Sequence, residues 1–419
     1  MQTPDWMAVI RVYGSILYAT RRWGNVDSEP IVPLMPEHID AWMADCRQAG
    51  ITTVLWRANC AGTLTYPSQF TALSGEPPLP PRYQLGRQEI EQGWMVEDWA
   101  FLGEQCRLFD TFATGVAAAH RHGLRFLLDF ATFDSAGIWC THDTWPQGGA
   151  RAFDPDLWLW SRDGTARLAG VPCYAEPRVC DRMLGQIAEA IGYGIDGVFL
   201  GFFSHCDMMA GDAPGYYGYN PVIMAAYTQR HGAEPTDSPA DHHRLLSLQG
   251  EFFTAFLRQA SALLHRRGKT LLCTARCDGV HGWNGNTWGS GQAGILQAGD
   301  LRDGQRELGY AGGLYVDWET WADEGLVDGL VVYAPFPDGI APAQAMRQRA
   351  RKPVYLMRKY DAWEGQLGAA HTLDGYTREI AAVRQGALDG YAFHLMLIAR
   401  HPALQPDWRA LLVADRREA

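Results

Sequence analysis

Eight short apolar runs recur along the 419-residue chain, at residues 8–13, 51–56, 125–130, 197–202, 270–275, 329–333, 353–357 and 390–395. Most carry β-branched or aromatic residues, and most follow a helix-like stretch closed by a glycine or proline turn signal. Eight strands alternating with helices predict an α/β fold, a closed (β/α)8 TIM barrel. Such barrels place their chemistry on the loops leaving the C-terminal strand ends, so the residues just past each run are the ones to read for function.

No linker or low-complexity tract interrupts the chain, and a barrel with long βα loops can use all of residues 1–419 as a single domain. Three excursions are long, at 57–94, 131–172 and 278–313, and loops of that size are commonly lids or binding loops. Between them, Pro36 opens a helix running to 49, and helical stretches are expected over 97–122, 176–192 and 245–267. Asn220-Pro221 starts another helix that ends near Arg230-His231-Gly232, and Asp317 caps a short one over 318–324.

Lys and Arg number 36 against 47 Asp and Glu, a net charge of −11 that disfavours nucleic acid or an anionic membrane as partner. No run reaches the length needed to span a bilayer, and the first 18 residues lack the charged start and cleavage site of a signal peptide. Nine cysteines, scattered and without paired zinc-type spacing, point to a reducing cytoplasmic compartment and to thiols used as packing.

Four stretches carry a family resemblance. Tyr66-Pro67-Ser68 follows the second run, and Tyr174-Ala175-Glu176-Pro177-Arg178-Val179 leads a helix into Ile195-Asp196-Gly197-Val198-Phe199-Leu200. Tyr219-Asn220-Pro221 continues to Tyr227 and His231-Gly232, and Val316-Asp317-Trp318-Glu319-Thr320-Trp321 precedes Glu324-Gly325-Leu326-Val327-Asp328. Together they resemble the TIM-barrel glycoside hydrolases of the family-10-like group, which implies a barrel that cleaves glycosidic bonds. One position departs from that pattern. Related barrels place an acidic residue directly after the fourth run, whereas this chain reads Leu200-Gly201-Phe202-Phe203-Ser204-His205. Either the chemistry sits on another loop or the barrel binds without cutting.

Glycosidic cleavage commonly uses two carboxyl groups, one protonating the leaving oxygen and one acting as nucleophile or activating water. Carboxyls past strand ends are Asp134 and Asp143, Asp207 and Asp212, Asp278, and Asp361 and Glu364. Asp134, Asp207 and Asp278 lie a few residues past three neighbouring runs and form the candidate catalytic pool; the competing role for each is bonding its own turn. Asp317 and Glu319 sit at a helix start, where capping is the stronger reading.

His142, His205, His281 and His394 occupy the same loops, but no His-x-His or His-Glu-x-x-His spacing marks a metal centre, and neither metal nor cofactor is expected. Arg57, Arg276 and Arg358 follow the second, fifth and seventh runs. A guanidinium fork there suits a sugar carboxylate, as in a uronic or sialic acid, or an aspartate of the pocket itself. Trp139, Trp145, Trp283, Trp288, Tyr216, Tyr217 and Tyr333 supply rings that stack on sugar faces or anchor loops. Trp158 and Trp160 are expected to pack the excursion after the third run onto the barrel, and Cys273 and Cys277 to be core thiols. No nucleotide loop or Gly-x-Ser-x-Gly elbow occurs. The expected function is thus a glycosidase whose substrate meets Arg57, His142, Asp143, His205, Arg276, Trp283, Tyr333, Arg358 and His394. Its rivals are a non-catalytic carbohydrate-binding barrel and a metal-dependent hydrolase or lyase using His142 and His205.

Overall fold

The structure, a computed structural model, describes residues 3–11, 34–60, 62–71, 73, 104, 106–133, 135, 154–165, 167–202, 217–276, 310–311, 314–333, 339–358 and 373–394. Eight parallel strands close into one barrel: β1 (Asp5–Arg11), β2 (Thr53–Arg57), β3 (Arg125–Ala131), β4 (Gly197–Gly201), β5 (Thr270–Arg276), β6 (Gly329–Tyr333), β7 (Val354–Arg358) and β8 (Gly390–His394). Each strand pairs with its neighbours in the chain, and β8 returns to β1 with Asp5 beside Gly390 and Val9 beside His394. This is the (β/α)8 architecture that the eight apolar runs predict.

The described helices are α1 (Pro36–Ala49), α2 (Thr111–Arg121), α3 (Pro177–Gly192), α4 (Pro221–His231), α5 (Pro239–His265), α6 (Trp318–Asp323), α7 (Ile340–Ala350) and α8 (Leu373–Arg384). Proline stands in the first turn of α1, α3, α4 and α5, where its missing N–H leaves no bond unmade. Asp317 caps α6 as expected, accepting from the Thr320 N–H at 3.2 Å. Two expected helices have different starts. Asp110 accepts from the N–H groups of Phe112 and Ala113, so α2 begins at Thr111, after a break at residues 109–110 that separates it from the helical residues 104 and 106–108; residues 97–103 lie outside the described ones. Ser238 caps α5 through the Asp241 N–H, so the helix begins at Pro239, in a polar stretch that hydrophobic periodicity alone does not reach.

The excursions contain small antiparallel hairpins: Asn59–Cys60 with Thr63–Leu64, Trp158–Trp160 with Arg167–Pro172, and Tyr310–Ala311 with Leu314–Tyr315. Strand alternation builds two cores. Val54, Trp56, Phe126, Leu128, Val198 and Leu200 face outward and pack with helix residues such as Ile39, Val116 and Ile187. Met7, Val9, Leu55, Leu127, Phe199, Leu272 and Val331 face inward and fill the barrel.

At the N-terminal face one device recurs. Asp196, Asp328 and Asp389 each stand one residue before β4, β6 and β8. Their N–H groups donate to the carbonyls of Phe126, Leu271 and Val354 at 2.8, 2.8 and 3.0 Å. Their carboxylates accept from the N–H groups of the same three residues at 2.8, 2.7 and 2.9 Å. Thr52 repeats the pattern before β2, donating its N–H to the Trp6 carbonyl and accepting from the Trp6 N–H with its hydroxyl. His120, His265 and Arg347 reach the three carboxylates from α2, α5 and α7. Glycine follows each aspartate because the adjoining strand is too near for a side chain. A Cβ on Gly197 would lie 2.4 Å from the Thr270 carbonyl oxygen, and one on Gly390 only 2.0 Å from that of Asp5. The strands are therefore pinned in pairs, β1 to β2, β3 to β4, β5 to β6 and β7 to β8.

Candidate active site at the C-terminal mouth

The inner wall changes character toward the C-terminal end. Leu55, Leu127 and Leu272 belong to the apolar fill, and the next inward positions on their strands are Arg57, Asp129 and Thr274. Arg57 and Asp129 are register partners, and the Arg57 Nε donates to Asp129 Oδ2 at 2.9 Å. Both side chains are buried, 4% and 0% exposed. Arg57, expected to meet a carboxylate, thus meets one supplied by the barrel itself. Asp129 was not among the sequence candidates. Its signal was a carboxyl inside an otherwise apolar strand, two residues past inward-facing Leu127, whereas attention to residues beyond the runs passes over it.

One step further toward the mouth, Ala131 and Gly201 are register partners. The Asn59 amide extends the β2–β3 pairing past the end of β2, accepting from the Ala131 N–H and donating to the Ala131 carbonyl, both at 2.7 Å. Thr132 donates its N–H and its hydroxyl to the Gly201 carbonyl, while Tyr174 donates to the Thr132 carbonyl at 2.7 Å. Thr274 accepts from the Phe202 N–H at 3.3 Å. Burial pushes the Tyr174 phenol well above its ordinary range, so it acts as a neutral donor. Behind these ends, Phe133, Phe202 and Phe253 pack with Tyr174, with ring centroids 4.9–5.7 Å apart. The ends of β2 to β5 are held firmly, which suits a site needing fixed geometry.

The motifs that carry the family resemblance serve as loop anchors. Tyr66 donates to the Gln186 carbonyl, and Ser68 and the Gln69 N–H both bond Glu189, tying the loop after β2 to α3. Asn220 accepts from the Trp160 N–H and donates to the Trp158 carbonyl, tying the excursion after β3 to the start of α4. Trp158 is fully buried and the Arg167 guanidinium lies 3.6 Å from the Trp160 ring centroid, in keeping with the packing expected of this segment. Cys273 is likewise buried, and its thiol is pushed far above its ordinary value by loss of water.

Arg276 and Tyr333 are register partners at the ends of β5 and β6, and Arg358 and His394 close β7 and β8. The fold therefore brings the backbone of four expected substrate residues, together with Arg57, to one end of the barrel. Asp134, Asp207, Asp278, His142, Asp143, His205 and Trp283 lie outside the described residues, as do Asp212, His281, Asp361, Glu364 and Cys277. So do Trp139, Trp145, Trp288 and Tyr216. Among the described residues no group of three His, Cys, Asp or Glu side chains could hold a metal ion, and no helix is long and apolar enough to cross a membrane. A hollow of about 530 Å³ at the opposite end is lined by Arg125 and Arg347, but these guanidiniums already meet Asp5 and Asp389.

No family model and no curated protein matches this chain. Among solved structures, the PgaB (BpsB) glycoside hydrolase domain from Bordetella bronchiseptica is similar over 98% of this chain and 98% of its own, with a TM-score of 0.53 at 11% identity. A beta-N-acetylhexosaminidase from Bacteroides fragilis NCTC 9343 is similar over 98% of this chain and 65% of its own, at TM-score 0.46 and 10% identity. A beta-galactosidase from the psychrophilic Marinomonas ef1 covers 93% of this chain with 53% of its own, at TM-score 0.46 and 10% identity. At 11% identity, the likeness to the PgaB domain is one of fold: it shows a barrel of the same architecture over nearly the whole of both chains.

Proposed function

We propose that residues 1–419 form a single-domain glycoside hydrolase of the family-10-like kind. It cleaves a glycosidic bond of a mono- or oligosaccharide, including one bearing a carboxylate, by carboxylate acid/base chemistry. The observation that carries this reading is the polar pair near the C-terminal strand ends, Arg57 with Asp129, at the end of the barrel from which the segments bearing Asp134, Asp207 and Asp278 continue in sequence. The fold shared with the PgaB glycoside hydrolase domain supports the same class. Arg276 and Arg358, by their strand-end positions, are the arginines left to hold a sugar carboxylate. The described cysteines Cys46, Cys106, Cys173, Cys180 and Cys273 are free and buried, which supports a reducing, cytoplasmic setting.

The test is sugar release from a broad panel of aryl glycosides and natural oligosaccharides, before and after treatment with a chelator. Cleavage that survives the chelator supports carboxylate chemistry. Loss of activity together with one tightly bound transition metal per chain moves the assignment to a metal-dependent hydrolase or lyase. A second reading, a carbohydrate-binding barrel without catalysis, is favoured by Gly201 at the position where related barrels place an acid. Sugar binding by calorimetry without product formation selects it.

A further inference from the structure

We propose that Asn59 and Tyr174 are positioning residues: they hold the C-terminal end of β3, residues 131–133, in place where the chain runs on to Asp134. The inference rests on the glycosidase reading above and on Asp134 as a member of its catalytic pool.

The need for such a brace arises where β2 leaves the barrel wall. Alternate residues of β3 face its two neighbours: Arg125 donates its N–H to the Thr52 carbonyl before β2, whereas Phe126 bonds Asp196 before β4. Ala131, six residues after Arg125, therefore turns its N–H and carbonyl toward β2. The pairing of β2 with β3 stops at Arg57 and Asp129, however, and the chain then takes other partners. The Ala58 carbonyl accepts from the Thr65 N–H, and Asn59 pairs with Leu64 in the first hairpin. The Asn59 side chain fills the vacated place. A carboxamide offers an acceptor and a donor side by side, as a strand edge does. Here it accepts from the Ala131 N–H and donates to the Ala131 carbonyl, both at 2.7 Å.

The next two residues are held from other directions. Thr132 donates its N–H and its hydroxyl to the Gly201 carbonyl, and its own carbonyl accepts from the Tyr174 hydroxyl at 2.7 Å. Phe133 is fully buried, its ring centroid 5.5–5.7 Å from those of Tyr174, Phe202 and Phe253. Asn59 and Tyr174 are 7% and 5% exposed, and they reach the same strand end from the segment after β2 and from the turn before α3. Asp134, outside the described residues, follows Phe133 in sequence, and Ser135 beyond it is 3% exposed. A small displacement of a reacting group lowers turnover steeply, while contacts that only bind the substrate survive. A brace on this strand end is therefore read in kcat more than in KM.

The experiment measures kcat and KM on p-nitrophenyl glycosides for wild type, Asn59→Ala, Tyr174→Phe and Asp134→Asn, and for each of the first two combined with Asp134→Asn. Thermal unfolding of every variant accompanies the kinetics. Asn59→Ala and Tyr174→Phe are each expected to lower kcat about tenfold with KM changed by no more than about twofold. In the Asp134→Asn background neither should lower the residual turnover by more than about twofold, because the group being aimed is gone. Where Asp134→Asn leaves no turnover to measure, the split between kcat and KM decides. Tyr174→Phe removes one oxygen and keeps the ring, so it remains informative if Asn59→Ala does not fold. Equal losses in both backgrounds, an unchanged kcat or a loss confined to KM overturn the inference and leave the hydrolase reading standing. Failure of both variants to fold also overturns it, since the brace would then belong to the fold alone. Full activity in Asp134→Asn overturns it together with the assignment of that carboxylate. Wild type that cleaves no glycoside overturns both the hydrolase reading and the inference.

Discussion

Ala131 and Gly201 stand in register on β3 and β4, with the Arg57–Asp129 pair one inward position below. The end of β4 therefore carries no side chain at its inward position, while a carboxylate is present on the neighbouring strand, one layer deeper. Glycine at the end of β4 does not by itself make this end of the barrel apolar.

The loop carboxylates remain the expected acid, base and nucleophile. Asp→Asn at 134, 207 or 278 keeps size but removes charge and proton transfer, so at least one should lower turnover about 100-fold or more while sugar binding survives. Steady-state release of p-nitrophenol together with calorimetry reads both quantities. Full activity in all three variants overturns the assignment.

Gly390 tests the N-terminal face. A methyl group there would lie 2.0 Å from the Asp5 carbonyl oxygen, so β1 and β8 must separate to admit it. Gly390→Ala is expected to destabilise the protein by about 1–3 kcal/mol, the usual range for overpacking. Urea unfolding measures this, and an unchanged midpoint would show that the two strands are not held that tightly.

Acid should loosen the surface around α4 and α5. Bonds from Thr236, Tyr227 and Ser238 hold the Asp241 carboxyl well below its usual range, and bonds from Ser161 and Thr165 lower that of Asp163 to about 2. Depressed folded values mean stabilisation present at neutral pH and lost as pH falls from about 4 toward 2. Thermal unfolding across that window should decline in wild type and decline less steeply in Asp163→Asn/Asp241→Asn. Parallel curves would locate the acid sensitivity elsewhere.

The described thiols should be inert in the folded state. Burial raises Cys106 and Cys173 to about 12 and Cys180 to about 11, and drives Cys46 and Cys273 higher still. Iodoacetamide at pH 8 is expected to leave all five unmodified until denaturant is added. Peptide mapping by mass spectrometry reports each one, and rapid labelling of Cys180, which has the smallest shift of the five, would show that the start of α3 opens readily.

Much of the barrel is legible in the chain because strand and helix periods are local. The run at 125–130 becomes β3, and Asn220-Pro221 opens α4 where the proline signal places it. Side-chain bonds to distant backbone are not local, and there the sequence is mute. Asn59 completes β3 from the far side of β2, and Tyr174 completes Thr132 from the turn before α3. The site follows the same division. Arg57 is legible from its place past an apolar run, but its partner is not, because Asp129 lies 72 residues away inside a strand and only barrel closure makes the two register neighbours.

The aspartates at 196, 328 and 389, with Thr52, divide the labour of the barrel between its two rims. They set strand alignment two strands at a time, entirely at the face away from the mouth. Insertions at the opposite rim consequently need not disturb alignment, which is how excursions as long as those after β2, β3 and β5 can coexist with a closed eight-strand wall. In engineering terms, the loops are exchangeable parts mounted on a chassis whose tolerances are set from below. A new specificity grafted onto the mouth would inherit a barrel already gauged by four small polar side chains.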